Sequence, residues 1–267
     1  MIYISPLLDS YFRLRLKNSS YRRKVYDKAL RKELRTSKTG NVILRNLGDV
    51  MAANPSCHKE FASLYGEENY QKNFWESDLG YLWYQGNLHA QNKYFEFAIE
   101  EIKKNSLQSL LDVGCGWGRF CADAAKVRSI SKIKGIDISE DIILNAKENF
   151  PGSGVLFECK DVLEETENYD LITLFGSTDY IPPAVYNKVL EHILVRANRE
   201  IIIVNSLRGI PLERAKEIEQ AIEVKRYDDG YLQATNRLLK VLQQKHSFSF
   251  EISKYGADSL LAVIHKN

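Results

Sequence analysis

The chain has 267 residues, of which 44% are hydrophobic and 27% charged, with six prolines. This composition suits an ordered globular protein with a sizeable core and excludes disordered and fibrous classes. The formal net charge of +2 excludes recognition of nucleic acid or membrane through total charge alone.

Charge is nevertheless concentrated near the start. Between Tyr11 and Lys38 eleven lysines and arginines face only Asp27 and Glu33, and Val25, Ala29, Leu30 and Leu34 recur at helical spacing. One or two basic amphipathic helices are expected. Three readings are open for them: docking on an anionic membrane, tracking of a phosphate backbone, or a solvated face over an apolar stripe. "SKTGN" then breaks the pattern, which resumes irregularly, with Pro55 as an expected helix boundary.

From Asn69 to Lys104 the text is aromatic. "HAQNKYFEFAIEEIKK", from His89, reads as a helix whose lysines suit its C-terminus, whereas the glycine-bounded "DLGYLWYQGN" before it reads as a loop. Beyond Asn105 short apolar runs alternate with helical segments: "SLLDVGC", "KIKGIDI", "GVLFECKD", "YDLITLFG" and "EIIIVNS". Such alternation predicts a parallel sheet with crossover helices. Further helices are expected near Pro211 and Tyr231, and "FSFEISKYGADSLLAVIHKN" reads as an antiparallel hairpin turning at Gly256.

The four cysteines show no metal-binding spacing and no secretory signal is read, so a reduced, cytoplasmic setting is expected. No apolar run approaches the roughly 20 residues of a membrane span. The five histidines are scattered, and no metal site is expected.

The most informative stretch is "LLDVGCGWGRF", residues 110–120, where a strand runs into three glycines and then a helix. That arrangement lets a ligand approach the backbone closely at a helix N-terminus. The dinucleotide pattern G-x-G-x-x-G fails because position 119 is arginine, and no Gly-Lys-Ser/Thr makes a P-loop. What remains is D-x-G-x-G-x-G, formed by Asp112, Gly114, Gly116 and Gly118. With Asp137 in "IKGIDIS", Asp161 in "FECKDVLE" and the segment "YDLITLFGSTDYIPP", this order of motifs resembles the class I S-adenosylmethionine-dependent methyltransferases over about residues 105–206. The string "GCGWG" is also found in cyclopropane fatty acid synthases; that likeness stops there, and Trp117 is read as a packing residue.

The resemblance implies a doubly wound α/β fold: a seven-stranded Rossmann-like methyltransferase sheet with an antiparallel C-terminal hairpin, over residues 105–267. A helical N-terminal region and cap would occupy residues 1–104. S-adenosyl-L-methionine is the implied cofactor, with Asp112, Gly114, Cys115, Gly116, Gly118, Asp137, Ile138, Asp161, Val162, Phe175 and Tyr84 as candidate contacts. Asp137 would bind the ribose or cap the next helix, for which Ser139 is the better cap. Asp161 would lie near the adenine amine or act as a cap, while Ile138 and Val162 would wall the adenine or pack in the core. The catalytic candidates are Asp179 and Tyr180, Asp179 being a base, an ammonium anchor, or a capping carboxylate. The implied reaction is methyl transfer to an oxygen or nitrogen of a small molecule, a sugar or surface-glycan precursor or a small amine. RNA or protein methylation, or a cofactor-binding assembly module without turnover, are the alternatives.

Overall fold

Apolar runs with a two-residue alternation form the sheet, because successive side chains of a strand point to opposite faces. In the computed structural model, which describes residues 6–34, 37–53, 57, 60, 76–181, 183–206, 230–254 and 259–267, seven strands form one sheet. They are β1 (Ser109–Val113), β2 (Lys132–Asp137), β3 (Leu156–Cys159), β4 (Tyr169–Phe175), β5 (Ala197–Ser206), β6 (Phe248–Lys254) and β7 (Ser259–Lys266). The order is β3-β2-β1-β4-β5-β7-β6. β1 to β5 pair in parallel, and β7 runs antiparallel between β5 and β6, so the expected C-terminal strand pair is present.

The alternation sorts the core into two layers. Leu111, Ile172, Leu174, Ile201 and Ile203 point to one face, where they meet α7 (Pro183–Arg196) and α8 (Gly230–Gln243) through residues such as Leu190, Ile193 and Leu239. Leu110, Leu171, Ile202 and Val204 point to the other and meet Ile102, Phe120 and Ile143. Those three belong to α4 (Asp78–Lys104), α5 (Arg119–Ala124) and α6 (Glu140–Asn149). Both faces are therefore covered, as a parallel sheet requires.

The chain divides into two compact units, Met1–Asn92 and Lys93–Asn267. This division lies inside α4, whereas the boundary expected from sequence, between residues 104 and 105, coincides with the end of that helix. In the first unit α1 (Pro6–Arg15), α2 (Ser19–Leu30) and α3 (Lys38–Ala53) enclose Leu16, Val25, Tyr26, Ala29, Leu44 and Leu47. Among the described residues no helix is long and apolar enough to cross a membrane.

Two expectations change here. "SKTGN" does not break structure but opens α3: Ser37 accepts the Gly40 N–H (2.9 Å), and Gly40 is needed because a Cβ there would lie 2.0 Å from the Leu34 carbonyl oxygen. "DLGYLWYQGN" is helical throughout, as the first half of α4. Its start is held by Ser77, which accepts the Leu79 N–H, and by buried Asp78, which accepts the Leu34 N–H at 2.8 Å. These tertiary contacts offset the glycine penalty of about 1 kcal/mol per residue. The helix expected near Tyr231 is α8, while the one near Pro211 and the turn at Gly256 lie outside the described residues.

One buried ionic network stabilises the β2 side of the sheet. Lys134, in β2, reaches Glu165 and Glu158, each at 2.9 Å, and Lys160 also reaches Glu165 at 3.3 Å. Burial would raise the Glu165 carboxyl, yet the Glu167 N–H and both ammonium groups outweigh it and hold the group at about 2. Its charge thus stabilises the fold above the ordinary value of 4.5, and this contribution disappears as pH falls towards 2. Lys134→Met should destabilise the protein by about 3–5 kcal/mol in urea titrations, because it leaves Glu165 buried without its main partner. Lys134→Met with Glu165→Leu should cost much less. Stability of Glu165→Gln should also lose part of the acid-side slope that the unaltered protein shows between pH 4.5 and 2.

Candidate functional site

The strand order reverses between β1 and β4: from β1 the chain proceeds outward to β2 and β3, and from β4 in the opposite direction to β5. In open α/β sheets ligands bind at the carboxyl ends of the strands beside such a reversal. Here that place is occupied by the loop Gly114–Gly118 after β1 and the 3₁₀ turn Ser177–Tyr180 after β4.

Backbone hydrogen bonds fix the first loop. The N–H groups of Gly114 and Cys115 both donate to the Ile136 carbonyl of β2 (2.8 and 3.0 Å), and Gly118 N–H closes the turn on the Cys115 carbonyl (3.0 Å). All three glycines have left-handed φ, +69°, +54° and +80° in order, so each favours glycine on backbone grounds. Their surroundings differ. A Cβ on Gly114 would lie 2.4 Å from Ser177 Cβ, and one on Gly118 would strike the Phe157 ring at 2.5 Å. A Cβ on Gly116 would meet nothing within 4 Å among the described residues. Gly114 and Gly118 are therefore packing glycines, and Gly116 is the one whose bare backbone meets open space.

Asp137 ends β2 and is half-buried. One carboxylate oxygen accepts the Gly116 N–H (3.2 Å) and the other accepts the Ser139 N–H (3.1 Å), so it ties the glycine loop to the start of α6. Ser139 is the side-chain cap of α6, accepting the Ile142 N–H, as expected from sequence. Ile138 is 75% exposed, which removes core packing as its role and leaves an apolar surface beside Asp137.

Asp112 lies beneath the loop, 3% exposed, and does not face the open side. Thr173 Oγ1 donates to it at 2.7 Å, and the Cys121 thiol approaches at 3.6 Å. Burial pushes its carboxyl up to about 7, against the lowering effect of these two donors. Its place is that of a support joining β1, β4 and α5. Cys115 and Cys121 are buried as well, and burial raises both thiols, which makes them packing groups rather than nucleophiles. Trp117 is 5% exposed, in keeping with a packing role.

Asp161 is exposed and accepts the Leu163 N–H (2.9 Å), which caps the 3₁₀ turn Val162–Glu164. Val162 is buried and packs in the core, the second of the two roles open to it. Phe175 ends β4 and stacks edge-on against Phe120, 4.8 Å between ring centres. Next to it Gly176 turns the chain at φ +72°, and Ser177 follows with its hydroxyl buried and without a hydrogen-bond partner. The backbones of Asp179, Tyr180 and Tyr84 belong to the 3₁₀ turn and to α4; their side chains lie outside the described residues.

Sequence reasoning missed Thr173 and Gly135. Thr173 pairs in register with Asp112, so a polar residue interrupting the apolar run in each of two adjacent strands was the available signal. Gly135 makes room for both buried thiols, since a Cβ there would lie 3.0 Å from each sulfur; nothing local marks that role.

Residues 104–245, just over half of the chain, match the family described as "Methyltransferase domain". Ubiquinone biosynthesis O-methyltransferases, mitochondrial, of Saccharomyces cerevisiae and Candida albicans are 31% and 30% identical over 115 and 105 residues. These alignments cover 41% and 37% of the chain and 36% and 28% of the relatives, so the similarity spans about a third of their length. The crystal structure of the plantazolicin methyltransferase in complex with a monoazolic desmethylPZN analog and S-adenosylhomocysteine superposes with a TM-score of 0.53, over 84% of this chain and 99% of that one. At 16% identity this is a likeness of fold.

The three glycines should separate by experiment. Gly118→Ala should lower the unfolding midpoint, because it adds a clash with Phe157 to the left-handed strain of about 1–2 kcal/mol. Gly116→Ala should incur only that strain while impairing ligand binding at the loop. Equal midpoints for the two variants in thermal unfolding would contradict this division.

Proposed function

Because the chain belongs to the class I S-adenosylmethionine-dependent methyltransferases, we propose that it transfers the methyl group of that cofactor to a hydroxyl oxygen of a small molecule. The observation that carries the reading is the open face of Gly116 next to the Asp137 carboxylate. A bare backbone and a strand-end carboxylate, side by side at the strand-order reversal, suit a ligand with a flat polar sugar and a narrow chain. The buried, unpartnered Ser177 hydroxyl beside Gly114 adds a polar group that a ligand can satisfy.

When bound, S-adenosylmethionine supplies an electrophilic methyl group on a sulfonium. The residues of the chain then orient and deprotonate. Asp137 would accept hydrogen bonds from the ribose hydroxyls, and the Gly114–Gly118 backbone would hold the methionine part. The exposed Ile138 provides an apolar surface for the base. An oxygen acceptor differs from an amine in that its proton must leave as the new bond forms, and Asp179, after β4, is the carboxylate assigned to take it. The preference for oxygen rests on the two O-methyltransferase relatives. Bringing acceptor and methyl into line accounts for the remaining acceleration, through orientation.

Titration calorimetry with S-adenosylhomocysteine tests the cofactor half of this reading. Asp137→Ala should weaken binding by at least about tenfold, since each charge-assisted hydrogen bond contributes about 1.5–3 kcal/mol. A folded variant with unaltered affinity would exclude the ribose role. For the transfer half, a screen of hydroxyl and amine acceptors with labelled methyl donor should give product on hydroxyls. On that acceptor Asp179→Asn should lower kcat by about 10²-fold with cofactor affinity unchanged. Binding without turnover on any acceptor would mark a cofactor-binding module instead.

A further inference from the structure

The basic N-terminal stretch is not used by the reaction, and the fold gives it a definite surface. Phe12 of α1 and Leu16, just past its end, are buried, 8% and 0% exposed, which turns Tyr11, Leu14 and Arg15 outward on one helical stripe at i, i+3 and i+4. Leu14 is 66% exposed and Tyr11 48%. The Arg15 guanidinium donates to the Tyr11 hydroxyl at 2.8 Å and lies 4.2 Å from the centre of the Tyr21 ring in α2, so the two helices share this surface. From Tyr21 the stripe continues to Lys24 and Lys28 at i+3 and i+7, both exposed.

The acidic residues of this stretch scarcely oppose that charge: Glu33 is held by Arg31 at 2.6 Å, and Asp27 is half-buried. The first turn of α2 contains no acidic residue and is capped by Asn18, which leaves the positive end of the helix next to Arg15 and Lys24. Basic side chains interleaved with exposed leucine and tyrosine match a surface that is anionic outside and apolar within.

We propose that the joined face of α1 and α2 docks on an anionic lipid bilayer, with Arg15, Lys24 and Lys28 at the headgroups and Leu14 and Tyr11 entering the interface. Charge complementarity selects an anionic partner. The exposed leucine selects a bilayer over a nucleic acid, whose phosphate backbone has no apolar counterpart for it. This inference is independent of the assigned reaction.

Co-sedimentation of the full chain with vesicles of phosphatidylcholine alone, or mixed with phosphatidylserine, tests it. Binding is expected only to the mixed vesicles, and it should weaken steeply with added salt. Lys24→Ala combined with Lys28→Ala should lower the affinity by about 25-fold, from about fivefold per lysine. Leu14→Ser should lower it by about tenfold. These side chains are exposed, so circular dichroism and S-adenosylhomocysteine affinity should be unchanged in both variants. Three results would overturn the proposal: no binding to mixed vesicles, equal binding to both compositions, or full retention by Leu14→Ser. Tight binding of a single-stranded RNA oligonucleotide in the absence of vesicle binding would assign the face to a phosphate backbone instead.

Discussion

Two N–H groups, of Gly114 and Cys115, converge on a single acceptor, the carbonyl of Ile136 in the neighbouring strand. This fork fixes where β1 stops and forces the chain to turn above β2. The left-handed glycines follow from the turn, the Gly116 N–H is delivered to Asp137, and the Cys115 carbonyl is placed to receive the Gly118 N–H. The open backbone at Gly116 is thus a consequence of strand pairing.

The molecule buries charge in two different ways. At Lys134 and Glu165 opposite charges compensate each other, and both groups are held ionised. At Asp112 no cation among the described residues is paired with the carboxylate; a hydroxyl and a thiol stand beside it, and burial favours its protonated form. The first arrangement clamps β2 to the segment that follows β3. The second joins β1, β4 and α5 under the glycine loop, with neutral donors in place of a counter-charge.

What could be read from the text was what local periodicity and close spacing encode. The apolar runs of β1 to β5 are short and alternate in order with helical segments, so the sheet and its antiparallel end were legible. The first half of α4 was not, because Gly80 and Gly86 among aromatics look like punctuation when the contacts of Ser77 and Asp78 are unseen. In the glycine loop the pattern treats Gly114, Gly116 and Gly118 as equivalent. Only the proximity of Ser177 and Phe157, 63 and 39 residues away in sequence, distinguishes them. Thr173 and the Lys134 network depend likewise on register between strands, which a single sequence does not state.

The place of β7 bears on how the sheet is assembled. β5 pairs over Glu200–Ser206 with a strand that begins only at Ser259, and the intervening β6 is added outside it. During synthesis, therefore, β5 emerges long before its outer neighbour and carries Ile201, Ile202, Ile203 and Val204 in succession along an unpaired edge. Such an apolar edge is a template for pairing with other chains. The late closure of this distant contact also carries a loop-entropy cost. The outer half of the sheet is accordingly exposed to misassembly until β7 pairs with the edge of β5.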